Sequence, residues 1–417
     1  MNKSSIVPES GEHAELRASV AALVGRYGHG YFVERARKHS EPTGLWKELG
    51  AAGFLGVHLP EDYGGGGGTL ADLSVVIEQT SASGCPLLMT VISPAICGTI
   101  LARHGSEAMK KRWLTGIADG SIKMAFAITE PDAGSNSHEI TTTAHPDGDG
   151  WRISGTKYWT SGVDVADAIL VVARSGSAAQ DAQRSGAGPA QDAQRSGAGA
   201  AQDAQRSGAG TRRPLSLFVV PTDSPGLTYQ TIEAALVQPE HQFTVFFDDV
   251  AVGPEALIGD DGNGLRQVFS GLNPERITAA SISNGISLYA LEKATAYANE
   301  RAVWGVPIGS HQGVAHPLAE CYIAVAQARL MAARAAELFD AGEDAAEASN
   351  IAKFAAADAS LRALDQSMQV HGGNGMALEY GLADLWFLAR MLKTAPVSRE
   401  MVLNFVAQRS LGLPASY

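Results

Sequence analysis

The chain has 417 residues, 45% hydrophobic and 18% charged, with 32 basic against 44 acidic side chains and a net charge of −12. That length holds two or three domains with sizeable cores, and the acidic balance argues against nucleic acid or an anionic membrane surface as the main partner. No run approaches the roughly 20 apolar residues of a membrane span, and the first twenty residues lack the apolar segment of a signal peptide, so the expected setting is cytoplasmic.

Residues 12 to about 120 read as helix. "LWKELGAAGFLG", "LADLSVVIEQTSAS" and "SEAMKKRWLTGIADG" place apolar residues at helical spacing and end in Gly or Ser. Between them, "LPEDYGGGGGTL" carries five successive glycines, Gly64 to Gly68. These could cradle a phosphate, but no strand precedes them, and the segment is read as a mobile surface loop. Cys85, Cys97 and Cys321 are too few and too scattered for a disulfide framework, and none belongs to a CxxC. His311 and His316 lack a companion cluster, so no metal site is expected.

Near residue 123 the pattern changes. "IKMAFAIT", "GWRISGTKYWTSG", "ADAILVVARS", "PLSLFVVP" and "HQFTVFFDDVAV" are short β-branched or aromatic runs bounded by Gly, Pro and Asp. From about residue 254 the chain is again Ala-rich and helical. The order predicts an α+β, multi-domain fold: a helical unit over 1–122, a β unit over 123–250 and a helical unit over 251–417. Three near-identical 11-residue units, each with "AQDAQRSGAG", fill 179–211. With only Ala as an apolar side chain they cannot offset their ordering entropy, and they are read as a disordered insertion between two strands.

Four stretches carry chemistry. "FAITEPDAGSNS" (126–137) ends a strand in a turn of small residues where a planar ligand could approach backbone N–H groups. "KYWTSG" (157–162) sets Trp159 beside the hydroxyls of Thr160 and Ser161, and by itself reads more readily as a turn with a core aromatic than as a ligand site. "NERAVWGVPIGSHQ" places Arg301 at a helix end, and "QVHGGNGMALEYG" (369–381) is a Gly-rich turn between helices, suited to a pyrophosphate or to plain punctuation.

In order and spacing these stretches, with "LPEDYGG", resemble the acyl-CoA dehydrogenases, flavin enzymes that introduce an α,β double bond into acyl thioesters. The resemblance covers nearly the whole chain outside the repeats and the first dozen residues. It implies an N-terminal helical domain, a middle β-barrel and a C-terminal four-helix bundle, with FAD between the last two in a homodimer or homotetramer. It implies that Phe126, Ile128, Thr129, Gly134 and Ser135 line the flavin, with Ser135 also near substrate. Trp159, Thr160 and Ser161 would stand at the isoalloxazine ring. Arg301, His311, Gln312, Gln369, Gly372 and Gly373 would serve the pyrophosphate and adenosine across a subunit interface. Ser398 and Glu400 fall on the FAD side, although Ser398 also reads as a helix cap.

The chemistry needs a base for the α-proton while hydride leaves the β-carbon for flavin N5. Most of the family carries a Glu in a segment that here falls on Pro396, which has no proton acceptor. A minority places it on the helix that opens L-x-x-E-R, and "LNPER" fits that pattern. Glu275 is therefore the expected base. Asn273 reads as an N-cap and Pro274 as the first helical residue, so Glu275 would sit in the first turn, where the helix dipole lowers its pKa and burial must raise it. Asn273 and Arg276 would face the substrate, Arg276 at its CoA portion.

The expected substrate is an acyl-CoA or an acyl-carrier thioester in fatty acid metabolism, with an electron-transfer flavoprotein as acceptor. A same-fold oxidase or monooxygenase, or a catalytically silent FAD-binding protein, are the competing readings. The chain departs from the family at Phe387-Leu388, where Arg-Asp is usual, and at Asn136 and Ser161.

Overall fold

The computed structural model describes residues 9–175 and 213–415. The repeats at 179–211 lie outside the described residues, and so does the expectation made for them.

The N-terminal unit is helical, as the spacing predicted. It comprises α1 (Gly11–Val24), α2 (Gly28–Arg37), α3 (Thr43–Ala51), α4 (Leu70–Ala82), α5 (Thr99–His104) and α6 (Glu107–Asp119). Side chains fix several starts: Ser10 accepts from the His13 N–H, Ser106 from the Met109 N–H, and Thr69 with Asp72 forms a reciprocal capping box. A buried π-helical segment, Val91–Gly98, with Pro94 inside it, leads directly into α5.

The glycine run before α4 corrects the sequence reading. The N–H groups of Gly65, Gly66, Gly67 and Gly68 donate to the carbonyls of Pro60, Gly56, Leu59 and Val57 at 2.8–3.1 Å. Neither description given to it from sequence holds. The donors are already used, so they cannot cradle a phosphate, and the loop is tied down rather than mobile.

The middle unit is one seven-stranded sheet. Its strands are β1 (Met124–Ala127), β2 (Thr143–Asp147), β3 (Gly150–Ser161), β4 (Ala168–Arg174), β5 (Leu215–Pro221), β6 (Leu227–Ile232) and β7 (Gln242–Val252). The path runs β1-β4-β2-β3-β7-β6, with β5 also on β4. Since β5 occupies one edge of β4 throughout, β1 and the tip of β2 share the other. Among the described residues β5 and β6 do not pair, so the barrel is partial and open. Alternation along β4 and β5 serves two cores. Leu170, Val172, Leu217 and Val219 face the helices, whereas Ile169, Val171, Phe218 and Val220 face the interior of the sheet.

The C-terminal unit is built on α7 (Gly264–Glu300), α8 (Gln312–Asp340) and α9 (Ala346–His371). A two-stranded ribbon, β8 (Ala302–Val303) and β9 (Val306–Pro307), joins the first two, and short helices α10 (Trp386–Met391) and α11 (Arg399–Phe405) complete the helical domain. Helix α7 starts at Gly264, with Asn263 at its cap, so Pro274 lies inside it. Asn273 is not a cap, and Glu275 is not in a first turn. Proline removes one helix hydrogen bond, but tertiary packing carries the helix through. Val268 is buried, and Gly271 sits so close to Ile100 that an added Cβ would lie 2.6 Å from its Cδ1. Phe387 is exposed and Leu388 is buried, so only one of this pair enters the core.

Candidate active site

Glu275 sits on the stretch of α7 that packs against the π-helical segment and α9. Burial pushes its carboxyl up to about 7, against the opposing charges of Arg276 and Lys353. The first-turn dipole expected from sequence does not act here, because Glu275 lies well inside the helix. On the π-helical segment, burial and then the charge of Glu275 push the Cys97 thiol up. Cys97 Sγ in turn donates to the Ala125 carbonyl of β1 at 3.6 Å, and Ser93 Oγ accepts from the Met124 N–H at 3.1 Å. The segment is thus a wall that connects the Glu275 helix to the strand leading into "AITEPDAGS". Asn273 Oδ1 accepts from Arg276 Nη1 at 3.1 Å and from Ser349 Oγ at 3.2 Å. The guanidinium of Arg276 is thereby held beside Glu275 with its Nε unpartnered.

The two strand-end stretches meet each other. Tyr158 N–H donates to the Thr129 carbonyl at 2.8 Å. Beneath them lies a pair not anticipated from sequence: Lys157 Nζ, fully buried, donates to Glu130 Oε1 at 2.9 Å and to the Ile128 carbonyl at 3.0 Å. The Glu130 carboxylate also accepts from both N–H and Oγ1 of Thr141 and Thr142. Burial would raise Glu130, but Lys157 and these donors hold it down at about 2. Burial lowers Lys157 to about 8, with Glu130 opposing.

A register shift between Lys157 and Thr160 forms a bulge in β3. At the bulge Trp159 takes φ 56° and is 48% exposed, so it is not a core aromatic. Thr160 Oγ1 is buried without a partner, and Ser161 Oγ donates to Gln242 Oε1 at 2.8 Å, leaving Gln242 Nε2 unpartnered. Phe126, Ile128 and Thr129 are partly buried along β1 and its end, and Gly134 and Ser135 stand exposed in the turn, with nothing within 4 Å of a Cβ placed on Gly134. An exposed indole, unpaired hydroxyl and amide groups, and an open turn of small residues suit a flat, polar-edged ring such as a flavin.

The residues expected at the pyrophosphate lie elsewhere. Arg301 is exposed at the end of α7, His311 caps α8 with its Nε2 unpartnered, and Gln312 is exposed. Gln369 is exposed near the end of α9, where Gly372 (φ 59°, ψ −135°) and Gly373 have nothing within 4 Å of an added Cβ. The two segments meet: the rings of Tyr297 and His371 stack at 4.3 Å, and Asn374 Nδ2 donates to the hydroxyls of Tyr297 and Tyr380. At 1.5 Å per residue this end of α7 is roughly 39 Å along the axis from Glu275. Within one chain Glu275 is linked through the π-helical segment to β1, whose end meets the Trp159 bulge, whereas Arg301 and the Gly372 turn lie at the far end of α7. Ser398 accepts from the Met401 N–H at 3.2 Å, so it caps α11, and Glu400 is exposed in that helix's first turn. Among the described residues no group of three or more His, Cys, Asp or Glu could hold a metal ion, and no helix is long and apolar enough to cross a membrane.

Three family models match the chain, described as acyl-CoA dehydrogenase N-terminal domain over residues 10–121, middle domain over 125–189 and C-terminal domain over 262–411. The chain is 53% identical over 411 residues to acyl-CoA dehydrogenase FadE12 of Mycobacterium tuberculosis, covering 98% of each. It is 30% identical over 378 residues to glutaryl-CoA dehydrogenase of Desulfococcus multivorans, covering 88% of each. Among solved structures, a glutaryl-coenzyme A dehydrogenase in complex with glutaryl-CoA aligns with a TM-score of 0.84 at 27% identity, over 98% of this chain and 97% of that one.

Proposed function

The chain belongs to the acyl-CoA dehydrogenase family, and on that premise we propose that Glu275 is the base that takes the α-proton of an acyl-CoA thioester. The observation that carries the assignment is a carboxyl that burial raises to about 7, on the helix facing the same wall as the ring-binding turn. A general base works best with a pKa near the operating pH, and an ordinary surface Glu is too weak for an α-proton. Pro396 offers no competing carboxylate.

FAD, on which the family depends, supplies the hydride acceptor when bound. Trp159, Thr160, Ser161 and the 126–135 turn would hold its ring, with the Glu130–Lys157 pair keeping those two segments in register. Arg276, fixed by Asn273, gives the substrate a cationic contact beside the base. The separation of the pyrophosphate residues from the ring residues favours a shared cofactor site. Arg301, His311, Gln312, Gln369, Gly372 and Gly373 of one copy would serve the cofactor of another, as a homodimer or homotetramer allows. Ser398 and Glu400 remain candidates at the edge of the site. Electrons would then leave to an electron-transfer flavoprotein.

The test is anaerobic flavin bleaching against a panel of straight and branched saturated acyl-CoAs. Glu275→Gln is expected to retain FAD and lose bleaching by at least about a hundredfold, the scale of a general-base contribution. In the wild type the bleaching rate should rise with pH through about 7 as the carboxyl loses its proton. Unchanged bleaching in the variant would sink the assignment.

A further inference from the structure

Lys353 on α9 is 2% exposed, and nothing in the proton transfer described above uses it. Helices α7 and α9 run in the same direction: the Ser349–Asn273 hydrogen bond joins them near their starts, and the Tyr297–His371 stack joins them near their ends. In that register Lys353, one turn beyond Ser349, lies opposite the turn of α7 that carries Glu275 and Arg276. Its Nζ donates to the main-chain carbonyl of Val397, the residue after Pro396. The side chain therefore ties α9 to the Val397 main chain while lying opposite the turn of α7 that carries Glu275.

A buried ammonium is costly unless neighbouring charges favour it. Burial and then Arg276 lower Lys353 to about 8, while Asp358, Glu275 and Glu400 oppose that change. The groups that act on Glu275 are equally few. Arg276 lies on its own helix, Lys353 on α9, and the Cys97 thiol on the π-helical segment, where burial keeps it neutral. Arg276 does not titrate in the working range. Among the described residues that act on Glu275, Lys353 is the cation that can.

We propose that Lys353 is a positioning residue for proton abstraction: held by the Val397 carbonyl, its ammonium presents a positive charge to Glu275. The proposal rests on Glu275 being the base. An opposite charge nearby lowers a carboxyl by about 1 to 3 pH units. Without it, a carboxyl packed against substrate would stay protonated at neutral pH and could not accept the α-proton.

The test uses FAD-loaded protein with Lys353→Gln, which keeps a donor for the Val397 carbonyl but no charge, and Lys353→Arg, which keeps the charge. The first readout is the infrared band of the protonated Glu275 carboxyl, identified by its loss in Glu275→Gln and titrated without substrate. The second is the pH profile of anaerobic bleaching by whichever saturated acyl-CoA bleaches the wild type fastest. Lys353→Gln is expected to move the carboxyl midpoint and the acid limb of the profile up by about one pH unit, and Lys353→Arg to restore both. An unmoved midpoint in Lys353→Gln overturns the proposal. Should that variant fail to fold, the uncharged Lys353→Met is titrated in its place, and an unmoved infrared midpoint there overturns the proposal equally. Bleaching that survives Glu275→Gln would instead overturn the base assignment, and the infrared midpoint reports on Lys353 independently of that result.

Discussion

Burial raises a second carboxyl to about 7, that of Glu240, whose Oε1 accepts from the Met89 N–H while Oε2 has no partner. In the unfolded chain this group titrates near 4.5. Between those two values the folded state keeps a proton that the unfolded state has released, so stability falls as pH rises through the window and stays lower above it. Glu240→Gln keeps the acceptor for Met89 and removes the charge. It should raise the melting temperature by about 1–3 °C at pH 8 and leave it unchanged at pH 4; a change of equal size at both would contradict this. Glu275 was legible as a candidate base because a proline stood where a carboxylate was expected. The Glu130–Lys157 clamp was not, since a pair separated by 27 positions becomes a contact only once β1 and β3 are placed.

Local rules of sequence failed most clearly in helix α7 and the glycine run. Asn-Pro-Glu has the chemistry of a helix start, yet the buried Val268 and Gly271, which packs on Ile100 of α5 and Ile96 of the π-helical wall, extend the helix upstream of it. Burial against another element overrides a propensity that acts on a single turn. The glycines illustrate the converse, a sequence that suggests freedom but serves close approach. A Cβ on Gly65 would lie 2.2 Å from the Leu59 carbonyl oxygen, where only backbone could yield. Gly65→Ala is therefore expected to destabilise the protein by about 1–3 kcal/mol, read by denaturant unfolding. Gly30→Ala, inside α2 with nothing within 4 Å, should stabilise by up to about 1 kcal/mol. Equal effects of the two would refute the packing argument. The bulge that turns Trp159 outward was illegible too, because a bulge is defined by the register of the partner strand β7.

At the scale of the whole molecule, the order of helical, sheet and helical units was legible from apolar spacing and β-branched runs, whereas their shared packing was not. Glu78 on α4 bonds Arg329 on α8 and Arg17 on α1, and Asp384 bonds Arg37 on α2, so charged side chains tie the first unit to the last. The insertion leaves and rejoins the sheet at one point, where the Ser175 N–H donates to the Pro214 carbonyl at 3.0 Å. Replacing 179–211 with a short Gly–Ser turn should keep FAD content and bleaching rate within about twofold; loss of either would show that the repeats contribute to the site. The two-faced strands β4 and β5 carry a further consequence. Because one face completes the helical core and the other the sheet's own, the middle segment is not a graftable module. A chimaera that takes residues 123–250 from a relative must also bring the helical side chains that meet Leu170, Val172, Leu217 and Val219. Inheritance of the 126–135 turn is thereby coupled to the packing of helices remote from it in the chain.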